Sequence, residues 1–262
     1  MTQQERCQRL IQALLEEMPQ YREVQIPALP DARWRLLRSL MNVRPPMPAA
    51  EGFLEIQDAF LRQMTREKGV MEAASLIPCR RDPRIVLWQG DITTLRCDAI
   101  VNAANSQLLG CFSPCHGCID NIIHTMAGVQ LRLACDDLMR KQGHEEPAGQ
   151  AKITPGFNLP CRYIIHTVGP IVDGPLTAEH ERLLASCYRS CLDLAAENGC
   201  GSIAFCCIST GVFMFPGLRA AEIAVETVEA WLRGTGSRMN VIFNVFKDTD
   251  REIYNRLLNG IS

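Results

Sequence analysis

The sequence predicts an α/β fold, with a mixed, mostly parallel sheet held between helices and a helical extension ahead of it. Three observations predict this. Beyond residue 82, short β-rich apolar runs alternate with stretches whose apolar residues recur at helical spacing. Those runs leave no polar alternation for a wet face, as expected of parallel strands covered on both sides. Before residue 80 the pattern is helical only. The boundary therefore separates an extension, residues 1–80, docked on the core, from an α/β domain, residues 81–262.

Each element has a local reason. Cys7, Leu10, Ile11, Leu14, Leu15 and Met18 form one helical stripe, with Thr2 and Glu5 spaced as a capping box. A second helix begins after Pro30-Asp31, turns Trp34, Leu37, Leu40 and Met41 inward, and stops before Pro45-Pro46. A third carries Phe53, Ile56, Phe60, Leu61 and Met64. Short amphipathic helices need a surface to bury against, and the following domain supplies it. The extension is then either a scaffold or a lid. Residues 84–88, 97–101, 163–166, 202–208 and 240–246 read as strands. Helical stripes lie between and after them: Leu131, Cys135, Leu138 and Met139; Leu183, Leu184, Cys187 and Cys191, closed by Gly199; Ile223, Ala224, Val228, Trp231 and Leu232. The last is Ile253, Tyr254, Leu257 and Leu258, behind a Thr249/Glu252 capping box. Ligands on such sheets bind beyond the carboxyl ends of the strands.

Composition narrows the function classes. A net charge of −2 over 262 residues, with basic residues dispersed, lacks the footprint of a nonspecific nucleic-acid binder. The amino terminus has no uninterrupted apolar segment, so neither a signal peptide nor a membrane span is expected, and the expected location is cytoplasmic. Thirteen cysteines, an odd count scattered through apolar segments such as Phe205-Cys206-Cys207-Ile208, read as reduced core thiols rather than a disulfide framework. One run differs: Gly110-Cys111-Phe112-Ser113-Pro114-Cys115-His116-Gly117-Cys118. Two thiolates and an imidazole suit Zn2+, and a set of Cys111, His116 and Cys118 leaves one coordination position open, as in catalytic zinc sites. Cys115 competes as a ligand, and all four together would make a closed, structural site. His124 and His166 each follow isoleucines and read as hydrogen-bonded core residues, outside the catalytic set.

Five ordered motifs carry a resemblance: Gly90-Asp91-Ile92-Thr93; Val101-Asn102-Ala103-Ala104-Asn105-Ser106; Ile119-Asp120-Asn121-Ile122-Ile123-His124; Tyr163-Ile164-Ile165-His166-Thr167-Val168-Gly169-Pro170; and Ile208-Ser209-Thr210-Gly211-Val212-Phe213-Met214-Phe215-Pro216. In order and spacing they resemble the macrodomain family over about residues 83–260. The resemblance implies a macrodomain α/β/α sandwich that binds ADP-ribose, with hydrolysis of ADP-ribose from modified proteins in many members. The Cys/His run replaces the glycine-rich loop expected before Ile119-Asp120. In that it looks like the zinc-dependent macrodomains of bacteria and fungi, which remove single ADP-ribosyl groups and carry a helical extension.

Residue chemistry agrees with the roles the resemblance implies. Asp91 accepts from the exocyclic amine of adenine, with Ile92 against the base, unless Asp91 serves only as a cap. Ser209, Thr210, Gly211, Val212 and Phe213 embrace the diphosphate through backbone N–H groups, with Phe213 near the distal ribose. Asn105 faces that ribose, whereas Asn102 either does so or holds the loop. Asp120 is base, ribose orienter or helix cap. The implied activity is zinc-dependent release of mono-ADP-ribose from Asp or Glu side chains, zinc either activating water or polarising a substrate oxygen. The alternatives are a reader that binds without turnover and a deacetylase of O-acetyl-ADP-ribose. The implied partners are an ADP-ribosylated protein, with free ADP-ribose as product and a lipoyl-carrier protein served by a sirtuin-type transferase among the associations, and neither nucleic acid nor membrane.

Overall fold

The structure, a computed structural model, describes residues 1–260. Three helices build the extension: α1 (Gln3–Glu17), α2 (Pro30–Val43) and α3 (Phe53–Lys68). The Thr2/Glu5 capping box forms, and α2 ends two residues before Pro45. Leu10, Ile11, Leu14, Leu37, Phe60 and Leu61 bury one another in a cluster of their own, joined to the main core through Val129, Trp34 and Met64. Polar bonds seat this cluster on the domain. Gln57 Oε1 accepts from Val129 N at 2.9 Å, and Asn158 Nδ2 donates to Asp58 Oδ1 at 2.7 Å.

A two-residue parallel pair, β1 (Met71–Glu72) with β3 (Leu95–Arg96), stitches the end of the extension to the domain. The main sheet contains β2 (Ile85–Gln89), β4 (Ala99–Ala104), β5 (Ala151–Pro155), β6 (Tyr163–Val168), β7 (Ser202–Phe205) and β8 (Asn240–Val245), in the order β2-β8-β7-β4-β6-β5. All neighbours are parallel except β5, which runs against β6. Helices α4 (Ile119–Ala127) and α5 (Val129–Gln142) pack together, α4 also on β4. Helices α6 (Ala178–Glu197), α7 (Gly217–Thr235) and α8 (Asp248–Asn259) pack in sequence. This is the mostly parallel sheet expected from the alternation, and β4, β6 and β8 are buried along nearly their whole length.

Four local expectations need correction. Strand β5 has no counterpart in the apolar runs: it is half-exposed, carries Lys152 and ends on Pro155, the composition of an edge strand. The run 97–101 becomes a strand over Ala99–Ala104, so Asn102 lies inside the sheet rather than in a loop beyond it. The run 202–208 is a strand only to Phe205. Finally, Thr249 and Glu252 form no capping box, because α8 starts at Asp248 with Lys247 as its uncapped N-cap. The box forms instead at Thr177 with His180, a residue type the Glu/Gln pattern does not include.

Candidate active site

The parallel strands share one carboxyl edge, where the ends of β2, β4, β6 and β7 deliver Asp91, Asn105, Gly169 and Ser209. The loop after β4 is the longest of these. It has no regular structure until α4 begins, and Cys118 is the N-cap of that helix, its Sγ accepting from Asn121 N at 3.4 Å. Within this loop the ligand atoms of Cys111, His116 and Cys118 lie within 4.8 Å of one another. All three side chains are at least partly exposed. Burial raises the Cys118 thiol pKa, the Asn121 amide offsets part of that, and neighbouring Cys111 and Asp120 raise it further. Cys115 faces away: its Sγ donates to Arg35 O at 3.4 Å and lies 3.3 Å from Ser39 Oγ.

Asp120, in the first turn of α4, is buried. Burial pushes its carboxyl pKa up to about 6, held from going higher by a hydrogen bond from Asn102 and by the charge of Arg132. Asn102 Nδ2 donates to Asp120 Oδ1 at 2.8 Å and contacts His166 Nδ1 at 3.1 Å, so Asn102 orients the carboxylate from within the sheet. Asn105 uses its amide locally: Nδ2 donates to Gly110 O at 3.1 Å and reaches Asp120 Oδ2 at 3.5 Å, while Oδ1 accepts from Gln107 N. Gly110 has φ +79°, and a Cβ there would fall 2.7 Å from the ring of His124, so only glycine lets the chain enter the cysteine loop at this point. His166 is a satisfied core histidine, with Thr154 Oγ1 at 2.9 Å. His124 is buried and, among the described residues, has no hydrogen-bond partner at either ring nitrogen; Asp120 Oδ1 lies 3.5 Å from its Nε2. Burial drives both histidine pKa values down, that of His166 to about 4, so both are neutral at physiological pH.

At the other end of the edge, Asp91 does cap a turn: its Oδ1 accepts from Thr93 N at 3.0 Å and from Thr93 Oγ1 at 2.6 Å. Its Oδ2 pairs with Lys68 of α3 at 2.9 Å. Burial pushes the Asp91 carboxyl up, but Thr93 and Lys68 outweigh it and hold the pKa below the ordinary value. Ile92 is buried beneath. Ser209 sits at φ +64°, with its Oγ buried and without a partner among the described residues, and a Cβ on Gly169 would come 2.0 Å from that Oγ. Thr210 and Phe213 are partly buried, whereas Gly211 and Val212 are exposed.

The chain matches the Macro domain family pattern over residues 101–224. It is 58% identical over 261 residues to the protein-ADP-ribose hydrolase of Treponema medium, covering 99% of this chain and 100% of that protein. The chain belongs to the macro domain family. This macro domain is also 53% identical over 227 residues to the protein-ADP-ribose hydrolase of Staphylococcus aureus, covering 86% of this chain and 85% of that one. Among solved structures, the Trypanosoma brucei macrodomain in complex with ADP-ribose superposes with a TM-score of 0.66 at 30% identity, covering 85% of this chain and 95% of the other.

Four polar side chains around the macro domain's site carry no motif: Arg38 and Asn42 of α2, Lys68 of α3 and Arg132 of α5. The first three stand in the extension, far in sequence from the residues they bind. A buried arginine is the one signal available in principle, and Arg132 lies on a helical stripe where a charge breaks the apolar pattern.

Proposed function

We propose that this macro domain is a zinc-dependent hydrolase that removes single ADP-ribose groups from aspartate and glutamate side chains of proteins. The observation that carries this reading is the convergence of Cys111, His116 and Cys118 beside Asp120, a buried carboxylate that burial destabilises. Hydrolase activity is further supported by relatives at 53% and 58% identity that are named protein-ADP-ribose hydrolases. The donor set, two sulfurs and an imidazole, fits zinc. Bound by these three residues, zinc supplies a Lewis acid with a position left for an oxygen of water or substrate.

The chain's own residues do the rest. Asp91 and the Ser209–Phe213 backbone hold the adenine and diphosphate ends, which places the distal ribose against the loop after β4. Asp120 accepts a hydrogen bond from a ribose hydroxyl or from the attacking water, with Asn102 holding one of its oxygens and Asn105 bracing the other against Gly110. The bond broken joins the ribose to a carboxylate oxygen, and that carboxylate is a good leaving group. An N-glycosidic bond to arginine needs a general acid instead. The two histidines beside Asp120 are buried and neutral, so neither offers a proton at neutral pH. Acid-linked substrates are therefore favoured over arginine-linked ones.

Purified, zinc-loaded protein tests the reading. It is expected to release ADP-ribose from Glu-modified protein at a rate well above that from Arg-modified protein. Tight binding of ADP-ribose with no release from either substrate points to a reader, and equal release from both overturns the specificity.

A further inference from the structure

The loop that carries Cys111, His116 and Cys118 is exposed along most of its tip, from Phe112 to Pro114 and again at His116 and Gly117. Little within the loop holds it: His116 N donates to Ser113 O at 3.2 Å, and Cys115 sits at φ +52°, in the left-handed region that a non-glycine residue enters only when its surroundings compensate. Its order comes from outside. Arg38 Nη2, on α2, donates to His116 O at 2.7 Å and to Asn121 Oδ1 at 2.8 Å. Asn121 passes that restraint on, its Nδ2 donating to Cys111 O at 3.3 Å and to Ser113 O at 2.9 Å. Asn42, also on α2 and buried, accepts from Cys115 N at 2.9 Å and donates to Thr125 Oγ1 at 3.0 Å. Arg132 closes the near end: its Nε donates to Leu109 O at 2.6 Å, its guanidinium lies 4.1 Å over the Phe112 ring, and its Nη1 bonds the carbonyls of Met41 and Arg44 at the end of α2.

We propose that the amino-terminal extension is a working part of the active site, in which Arg38 and Asn42, with Arg132 opposite, are positioning residues that hold the three metal ligands in place. The inference rests on the zinc site proposed above. The backbone of every ligand is restrained by this set or by α4: Cys111 through Asn121, His116 through Arg38, and Cys118 as the helix cap. Three ligands drawn from eight loop residues pay ordering entropy when metal binds, and a loop already ordered by α2 avoids that loss. Arg38 makes both bonds from one terminal nitrogen, Nη2, which ties the His116 carbonyl and the Asn121 side chain to the same point on α2.

The experiment compares wild-type protein with Arg38→Ala, Arg38→Lys and Asn42→Ala, each loaded with zinc. The readouts are the rate of zinc transfer to a chromophoric chelator, the affinity for free ADP-ribose, and the unfolding midpoint of the metal-free protein. Outer-shell partners of metal ligands typically change affinity or activity about 10–100-fold. Arg38→Ala is expected to release zinc at least about 10-fold faster, with ADP-ribose affinity unchanged. Arg38→Lys should fall between it and wild type, and Asn42→Ala should also release zinc faster. Arg38 is only partly buried, so its variants should fold. Wild-type zinc release in all three variants overturns the brace while leaving the zinc site standing. A wild-type protein that binds no stoichiometric zinc overturns both. A loss of ADP-ribose affinity as large as the gain in zinc release identifies a general structural role and also overturns the proposal.

Discussion

Two clusters in this protein offer the same kinds of donor atom at the same separation. In one, Cys111, His116 and Cys118 lie within 4.8 Å of one another in a partly exposed loop; in the other, His124, Cys135 and His166 do so entirely within the core. Donor inventory does not separate them, and surroundings do. In the core, His166 is already hydrogen bonded to Thr154 and Asn102, and burial pushes the Cys135 thiol up to about 12. Burial raises the Cys118 thiol of the loop as well, to about 11, so the contrast lies in access: all three core donors are buried. In the loop, the thiols reach solvent, one caps a helix N-terminus, and α2 braces the backbone. On the proposed reading, access and a pre-ordered frame mark the loop cluster as the metal site, and the core triad is packing.

The largest effect should break the comparison outright. Cys118→Ser is expected to take zinc content from about one per chain to near zero, measured by elemental analysis, whereas Cys135→Ser should leave it unchanged. Retention of zinc by the first variant, or its loss from the second, reverses the assignment of the two clusters.

Next in size is Asp120, which reaches the core cluster through Asn102 and His124 and neighbours Cys118 of the loop cluster. Asp120→Asn should lower turnover by about 10²-fold or more, the usual contribution of a positioned acid or base. The same carboxylate gives a stability signature in metal-free protein. Its folded pKa, about 6, lies above the unfolded value of about 3.9. The folded state therefore binds the proton more tightly, so this contribution is fully present below about pH 4 and lost as pH rises through 6. Two units correspond to roughly 3 kcal/mol at most. Denaturant unfolding at pH 4.5 and 7.5 should show wild type losing more stability than Asp120→Asn between them. Parallel pH profiles contradict the raised pKa.

Smaller effects sharpen the picture at the nucleotide end. Asp91→Ala should weaken ADP-ribose binding by about 1–3 kcal/mol through loss of a buried polar partner, with zinc content unchanged by calorimetry and metal analysis on one preparation. The smallest expected change is none: Cys115→Ser should keep its zinc, because that thiol points to Arg35 and Ser39. Metal loss there would indicate a four-ligand site.

Much of this was legible in the sequence where one period or one chemistry dominates. The parallel strands announced themselves as apolar runs, and the cysteine spacing in the loop after β4 singled out three donors that the structure brings together. Nine of the thirteen cysteines are buried, as their apolar neighbours imply. What stayed hidden depends on long-range pairing. Strand β5 is held by its neighbour β6 rather than by its own pattern. Asn102 looked like a loop residue because its polarity masks a place inside the sheet. Arg38, Asn42 and Lys68 reach partners 83, 73 and 23 residues away, and no local spacing encodes such contacts.

The most direct test of the account is zinc content and turnover followed together on one sample, before chelation, after it, and after zinc is restored, with Glu-linked ADP-ribosyl protein as substrate and ADP-ribose binding as the control. One zinc per chain is expected, with loss of turnover in parallel with metal, recovery on adding zinc, and little change in ADP-ribose affinity throughout. Full turnover by protein stripped of metal, or affinity lost in equal proportion to rate, would contradict it.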